Sequence, residues 1–206
     1  MATETEIKFK VEAHDALRER LSAIGAVRRG LRFEVNAFFD DHGKLKAQGS
    51  GLRLRSMRDE AGETRSVITY KGPATGDAVR SREEIEFPIG DLDAAAALLA
   101  RLGYAPTIAF EKRRETWELE GSLIELDELP HLGRFVEIEG EDVTIISSIR
   151  ARLGLAQLEP ATSGYASMFS ALIRARPELG PLVQSKDEPR RSRRGFGRSS
   201  VGARSP

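Results

Sequence analysis

Charged and apolar side chains alternate at a spacing of two in segment after segment of this 206-residue chain. At the N-terminus Glu4, Glu6, Lys8 and Lys10 alternate with Thr5, Ile7, Phe9 and Val11. In a β-strand successive side chains point to opposite faces, so this run has one charged and one apolar face. The pattern recurs. Arg53 and Arg55 oppose Leu52 and Leu54, Lys71 closes an extended run, and Arg82, Glu84 and Glu86 oppose Ile85 and Phe87. Lys112 and Arg114 share a face, with Arg113 and Glu115 on the other. Glu125 and Asp127 oppose Ile124 and Leu126, and Glu137 and Glu139 oppose Val136 and Ile138.

A sheet with one wet face would also alternate. Such a face mixes Thr, Ser, Gln and Lys, whereas these faces concentrate Arg and Glu. They are also sorted by strand, with cations on the third, fourth and sixth, carboxylates on the seventh and eighth, and both on the first and fifth. If the sheet closes, as eight strands can, those charges line an interior and must be paired or bound. Guanidinium and ammonium groups bind phosphate oxygens, and carboxylates hold the divalent cations that bridge them.

The rest of the composition narrows the chemistry. There is no cysteine, which excludes disulfides, thiolate metal sites and a cysteine nucleophile. Histidine is scarce (His14, His42, His131) and falls at a helix start or in turn-like contexts, so the expected metal is a hard ion such as Mg²⁺ or Mn²⁺ on carboxylate oxygens. No GxxxxGK[ST] loop and no GxGxxG opening a helix is present, so side chains on strands must do any phosphate chemistry. No apolar run approaches the roughly 20 residues of a membrane span, and the charged start is no signal peptide, so a soluble, cytoplasmic protein is expected.

Eight strands must carry these faces: about 3–12, 27–40, 51–58, 64–71, 80–87, 107–120, 122–129 and 133–140. Between and after them, the apolar spacing and the stops at Gly25, Gly103 and Gly154 predict helices at 15–24, from Asp91 to Leu102, and from Asp142 to Leu153. A last helix at 163–175 carries Tyr165, Met168, Phe169 and Leu172 and ends at Pro177. The order is that of an α+β antiparallel architecture. Trp117 and Phe87 are expected in an outer-face core. From Ser185 onward seven basic residues meet only Asp187 and Glu188. Because the whole chain is neutral, its body carries a matching negative excess. Two regions are expected: a folded domain at 1–180 and a basic, disordered tail at 181–206.

Eight motifs in register make the chain similar to the CYTH superfamily, the triphosphate tunnel metalloenzymes. Glu4-Thr5-Glu6-Ile7-Lys8 matches its ExExK signature. Gly51-Leu52-Arg53-Leu54-Arg55, Thr69-Tyr70-Lys71-Gly72-Pro73, Arg82-Glu83-Glu84-Ile85-Glu86 and Glu111-Lys112-Arg113-Arg114 follow in order. Leu126-Asp127, the run from Leu132 to Glu139, and Ser163-Gly164-Tyr165 complete the match over about 3–175. The resemblance implies a closed eight-stranded antiparallel barrel whose lumen binds a triphosphate, with helices packed outside. It implies that Lys8, Arg53, Arg55, Lys71, Lys112 and Arg114 grip phosphate, with Arg113 the alternative if the sixth strand slips by one residue. Glu4, Glu6, Glu84, Glu86, Asp127, Glu137 and Glu139 would arrange Mg²⁺ or Mn²⁺, with Glu4, Glu6 and Lys8 closest to the reaction. Glu86 could equally hold Arg55 or Lys71, and Arg82 could either neutralise Glu84 or contact the substrate.

The resemblance implies either of two reactions. A triphosphatase places a water in line with the terminal phosphorus of an inorganic or organic triphosphate. A class IV adenylate cyclase lets the ribose 3′-hydroxyl attack the α-phosphorus of ATP, releasing pyrophosphate. No sequence element specifies an adenine site, so the triphosphatase is the expected activity. A noncatalytic polyphosphate- or RNA-binding module is the remaining alternative, although an anion binder gains nothing from carboxylates in its lumen. Nucleic acid would be contacted, if at all, through the basic tail. Homodimers are common in the family.

Overall fold

The computed structural model describes residues 2–76 and 79–183, residues 2–4 through their backbone. Eight long strands appear: β1 (Ala2–Val11), β2 (Val27–Asp40), β3 (Gly51–Asp59), β4 (Thr64–Lys71), β5 (Arg80–Ile89), β6 (Ala105–Leu119), β7 (Ser122–Leu129) and β8 (Gly133–Glu139). Helices α1 (Asp15–Ala23), α3 (Leu92–Arg101), α4 (Val143–Arg152) and α5 (Tyr165–Ala175) stand where the periodicity places them. A four-residue helix, α2 (Lys44–Ala47), was not expected; Asp40 holds it by accepting from the backbone N–H of Leu45 and Lys46 at 3.0 and 3.1 Å.

The strands run β2-β3-β4-β5-β1-β8-β7-β6, and β6 returns to pair with β2 along nearly its whole length, from Val27↔Glu118 to Asp40↔Ala105. Every one of these pairings is antiparallel and the ring is closed. Closure removes the exposed edges an open sheet would present. Local chemistry supports the turns and helix starts. Glu120 and Gly121 both take positive φ (53° and 76°), the mark of a type I′ hairpin, between β6 and β7. Asp91 and Asp142 cap α3 and α4 by accepting from Ala94 N at 2.9 Å and Thr144 N at 2.6 Å.

The apolar faces point outward, under the helices. Ile7, Phe9, Ile124, Leu126, Val136 and Ile138 pack against Leu17 and Leu21 of α1 and Ile146 and Ile149 of α4. Ala37, Phe39 and Leu54 meet Leu99 of α3. Each such fully buried side chain contributes about 1.5–3 kcal/mol. Trp117 joins this outer core, as expected. Phe87 does not: it is 54% exposed, with Ile85 beside it at 43%, because no helix covers that part of β5.

One feature differs at the C-terminal side. Leu182–Val183 forms a two-residue strand, β9, parallel to Ala109–Phe110, and Val183 is buried. Ordered packing therefore continues past residue 180. The remainder of the basic tail, 184–206, lies outside the described residues.

Candidate active site

The ring register sets opposite charges side by side. Lys8 faces Glu137 across β1–β8, Arg114 faces Asp127 across β6–β7, Lys71 faces Glu84 across β4–β5, and Glu34 faces Lys112 across β2–β6. All of these point to the interior, a solvent-connected lumen of about 2010 Å³ whose walls include Glu6, Lys8, Arg53, Arg55, Lys112 and Glu137. The sheet is inverted relative to an ordinary globular one, with its charges inside. Desolvating so many ions is costly, and the cost is offset only where each has partners.

Arg114 is the hub on one wall. Its Nε donates to Asp127 Oδ1 at 2.6 Å and its Nη2 to Asp127 Oδ2 at 2.5 Å, a bidentate pair, and it also contacts Glu125 and Glu137. Burial opposes its charge, yet these three carboxylates hold its pKa well above the usual arginine range. Lys8 Nζ sits 2.8 Å from Glu137 Oε1. Burial pushes the Glu137 pKa upward, but Lys8, Arg114 and Lys112 together hold it well below the usual carboxylate range. Lys112 lies 3.4 Å from both Asp127 and Glu34. Burial is the main cause of its lowered pKa, with the neighbouring charge of Arg114 second. Arg113 is 55% exposed and points outward, so β6 presents Lys112 and Arg114 to the lumen, without the slip.

On the other wall Arg53 is less compensated than its neighbour Arg55, whose pKa, despite burial, Glu34 and Glu86 raise. Arg53 and Arg55 share the inner face of β3 and are both buried. Arg55 donates to Glu86 at 2.9 Å, while Arg53 reaches Glu86 and Glu84 only at 3.6 and 3.8 Å and donates to Thr69 Oγ1 at 3.3 Å. The Nε atoms of both arginines are buried without a hydrogen-bond partner among the described residues. Burial, reinforced by the adjacent Arg55, lowers the Arg53 pKa to about 10. A guanidinium in this state has too little negative charge around it. Glu86 holds Arg55, one of the two partners expected for it, and also accepts from Thr69 Oγ1 at 2.7 Å. Glu84 takes Lys71 at 2.7 Å. Arg82, for which neutralisation of Glu84 and a substrate contact were both open, donates to Glu6 at 3.2 Å.

Sequence reasoning missed several lumen residues. Glu34 is fully buried among Arg32 (2.7 Å), Lys112 (3.4 Å) and Arg55 (3.6 Å), and despite its burial these charges hold its pKa well below the usual range. Arg32 also donates to Glu125 at 3.1 Å, and Asn36 completes the inner face of β2. Their signal was present as the alternation Arg32, Glu34, Asn36 between Phe33, Val35 and Ala37. Tyr165 was read as a helix residue closing the Ser163-Gly164-Tyr165 motif, with no role in the site. Its hydroxyl donates to Asp127 Oδ2 at 2.8 Å inside the ring, a contact no helical periodicity could reveal.

For the expected metal set the outcome is mixed. Glu6, Glu84, Glu86, Glu137 and Glu139 line the lumen. Asp127 lies behind that lining, fully buried and held by Arg114, Lys112 and Tyr165. Glu4 pairs in register with Arg82, but its side chain lies outside the described residues. Among the described residues no group of three or more acidic or imidazole side chains converges at ligand spacing. The donor chemistry nevertheless suits a hard divalent cation, because the lining offers carboxylate oxygens and neither thiolate nor imidazole. His14 is buried elsewhere, its Nε2 donating to the Phe135 carbonyl at 2.9 Å, while His42 and His131 occupy positive-φ turn positions.

The sequence profile of the CYTH domain matches residues 2–145. The chain belongs to the CYTH domain family. Other CYTH-related chains agree with it over most of their length. It is 28% identical over 192 residues to an adenylate cyclase, CyaB, of Aeromonas hydrophila, covering 86% of this chain and 94% of that one. It is 29% identical over 137 residues to a Methanocaldococcus jannaschii protein named as a candidate adenylate cyclase, covering 66% and 75%. A solved structure from Pyrococcus horikoshii superposes with a TM-score of 0.72 at 25% identity, covering 82% of this chain and 99% of that one. A Hippeastrum protein, titled as an adenylyl cyclase with a dominant triphosphatase activity, shares the fold at a TM-score of 0.62 and 21% identity, covering 83% and 96%. No helix among the described residues is long and apolar enough to cross a membrane.

Proposed function

We propose that this CYTH protein is a divalent-metal-dependent phosphohydrolase that binds an inorganic or organic triphosphate in the lumen. The observation that carries the reading is Arg53, buried with an unpartnered Nε, its nearest carboxylate at 3.6 Å and its pKa lowered to about 10, so that its lost hydration is only partly replaced by protein anions. A polyanion entering between this wall and the Lys8–Lys112–Arg114 wall would supply the missing charge. A neutral or cationic ligand would not.

In this reading Arg53, Arg55 and Lys71 grip the triphosphate from one side and Lys8, Lys112 and Arg114 from the other. Their ion pairs with Glu84, Glu86, Asp127 and Glu137 hold the donors in place before substrate arrives, so that little reorganisation remains for the reacting state. The cations disperse the negative charge of the transferring phosphoryl group. Glu6 and Glu139, opposite one another across β1–β8, with Glu4 on the same face of β1 and Glu84 and Glu137 nearby, would hold Mg²⁺ or Mn²⁺. When bound, such an ion supplies Lewis acidity at the phosphate oxygens.

A second reading, class IV adenylate cyclase, is favoured by the names of the Aeromonas and Methanocaldococcus relatives. The two readings differ in the phosphorus attacked, terminal or α. Incubation of the protein with Mg²⁺ or Mn²⁺ and tripolyphosphate, thiamine triphosphate or ATP separates them. Orthophosphate release from any of these supports the phosphohydrolase. Cyclic AMP and pyrophosphate from ATP would replace it with the cyclase, and tight binding without turnover would leave a polyphosphate-binding module.

A further inference from the structure

Tyr165 enters the charged lumen from outside the ring. It is the first residue of α5, the helix that packs on the inward aromatic pair Phe110 and Phe135. Its ring meets Phe135 edge-on with centroids 5.3 Å apart, and Phe169, one turn further along, stacks on Phe110 at 4.4 Å. The side chain is buried, and two of the lumen cations lie over its ring. Lys8 Nζ lies 3.9 Å from the ring centroid and Lys112 Nζ 5.3 Å. The hydroxyl donates to Asp127, the carboxylate that grips Arg114 in bidentate fashion and lies 3.4 Å from Lys112.

We propose that Tyr165 is a positioning residue for triphosphate binding, its ring seating the Lys8 and Lys112 ammonium groups and its hydroxyl fixing the Asp127–Arg114 pair. The physical case rests on two separable contacts. An ammonium over a desolvated aromatic face is attracted by the ring quadrupole without being neutralised, so the N–H donors that its carboxylate neighbours leave stay available for phosphate oxygens. A carboxylate partner such as Glu137 competes for those donors, whereas the ring does not. The hydroxyl occupies an Asp127 oxygen, so the carboxylate cannot swing away from Arg114 or Lys112. Proper seating of α5 thereby becomes part of the site, although no residue of that helix carries a charge in the phosphate-binding set.

The inference rests on the triphosphate reading, and its test separates the two. Tripolyphosphate binding is measured by calorimetry for wild type, Tyr165→Leu, Tyr165→Phe and Phe169→Leu. Tyr165→Leu removes both contacts and is expected to raise Kd roughly tenfold, while Tyr165→Phe keeps the ring and recovers about half of that loss on a logarithmic scale. Phe169→Leu loosens the same helix without touching the lumen cations, so it lowers Tm but leaves Kd within about twofold. Equal weakening by Phe169→Leu and Tyr165→Leu, or an unchanged Kd in Tyr165→Leu, would overturn the proposal. A second readout needs no triphosphate. The Lys8 Hε resonances should be shifted upfield by the ring in wild type and Tyr165→Phe, and return toward ordinary lysine values in Tyr165→Leu. Absence of that upfield shift in the wild type overturns the seat. A normal shift with no tripolyphosphate binding in any variant sinks the triphosphate reading, and the proposed role with it, while leaving the contact intact.

Discussion

Lys8 and Glu137 stand directly opposite each other on β1 and β8, and their charged ends meet at 2.8 Å in the interior of the ring. Glu137 also contacts Arg114, so one carboxylate compensates two buried cations. Removing it leaves both under-compensated, a situation that costs about 3–5 kcal/mol in a buried setting. Glu137→Gln is therefore expected to lower Tm by roughly 10 °C, at about 2–4 °C per kcal/mol for a chain of this size. Glu139→Gln, at a half-buried position, is expected to abolish metal-dependent phosphate release with a far smaller Tm change. Thermal melts and turnover assays on both variants check this, and a stable, fully active Glu139→Gln protein would sink its metal role.

Arg53 tests the phosphate wall. Its Nε lacks a partner and its nearest carboxylates stand at 3.6 Å or more, so it contributes little to folding and much to an incoming anion. Arg53→Met is expected to leave Tm unchanged or raise it. Tripolyphosphate affinity should fall by 10- to 100-fold, the loss of about 1.5–3 kcal/mol expected for charge-assisted hydrogen bonds. Calorimetric titration of the variant reads the difference, and affinity within twofold of wild type would contradict the assignment.

The register of β6 is separately testable. Lys112 lies between Glu34 and Asp127, whereas Arg113 points to solvent and meets Glu128 only at 3.9 Å. Lys112→Met is expected to weaken tripolyphosphate binding at least tenfold. Arg113→Gln should change both affinity and stability by no more than about 0.5 kcal/mol. The reverse ranking in a binding assay would show that the strand presents its other face.

Acid stability follows from Glu34 and Glu137, whose folded-state pKa values lie well below the ordinary 4.5. A depressed carboxylate pKa means that the unfolded chain binds protons first as pH falls. The stabilisation is complete above about pH 4.5 to 5 and is lost progressively below it. Glu125 works in the opposite sense, since burial raises its pKa, and it offsets part of that loss. Denaturant midpoints are expected to fall steeply below about pH 4, after a smaller loss that begins near pH 6.5 from His14, whose pKa burial lowers. Glu34→Gln should be less stable at neutral pH and show a shallower acid limb. A wild-type midpoint that rises on acidification would contradict these pairings.

Most of the scaffold was readable because a closed antiparallel ring is built from local signals. Period-two alternation marked each strand, and Asp91 and Asp142 marked two helix starts. The charged lumen was readable for a related reason. Residues such as Arg53, Arg55, Glu137 and Glu139 could share an apolar-backed strand face only if that face enclosed or met something polar. The same rule applied to Arg32, Glu34 and Asn36, whose alternation went unread beside the aromatic residues of β2.

Partner choice was decided elsewhere. Which cation each carboxylate holds depends on strand register around the ring: Arg82 reaches Glu6 because β5 lies beside β1, and Asp127 is sealed by Arg114 because β7 lies beside β6. No spacing within one strand encodes those neighbours. Tyr165 shows the limit most clearly. By sequence it is one position of a C-terminal helix, and only the docking of that helix on the ring carries its hydroxyl to Asp127. Alternation along the chain determined which faces are charged; closure of the ring decided which charges meet, because pairing distance is set by neighbours far apart in sequence.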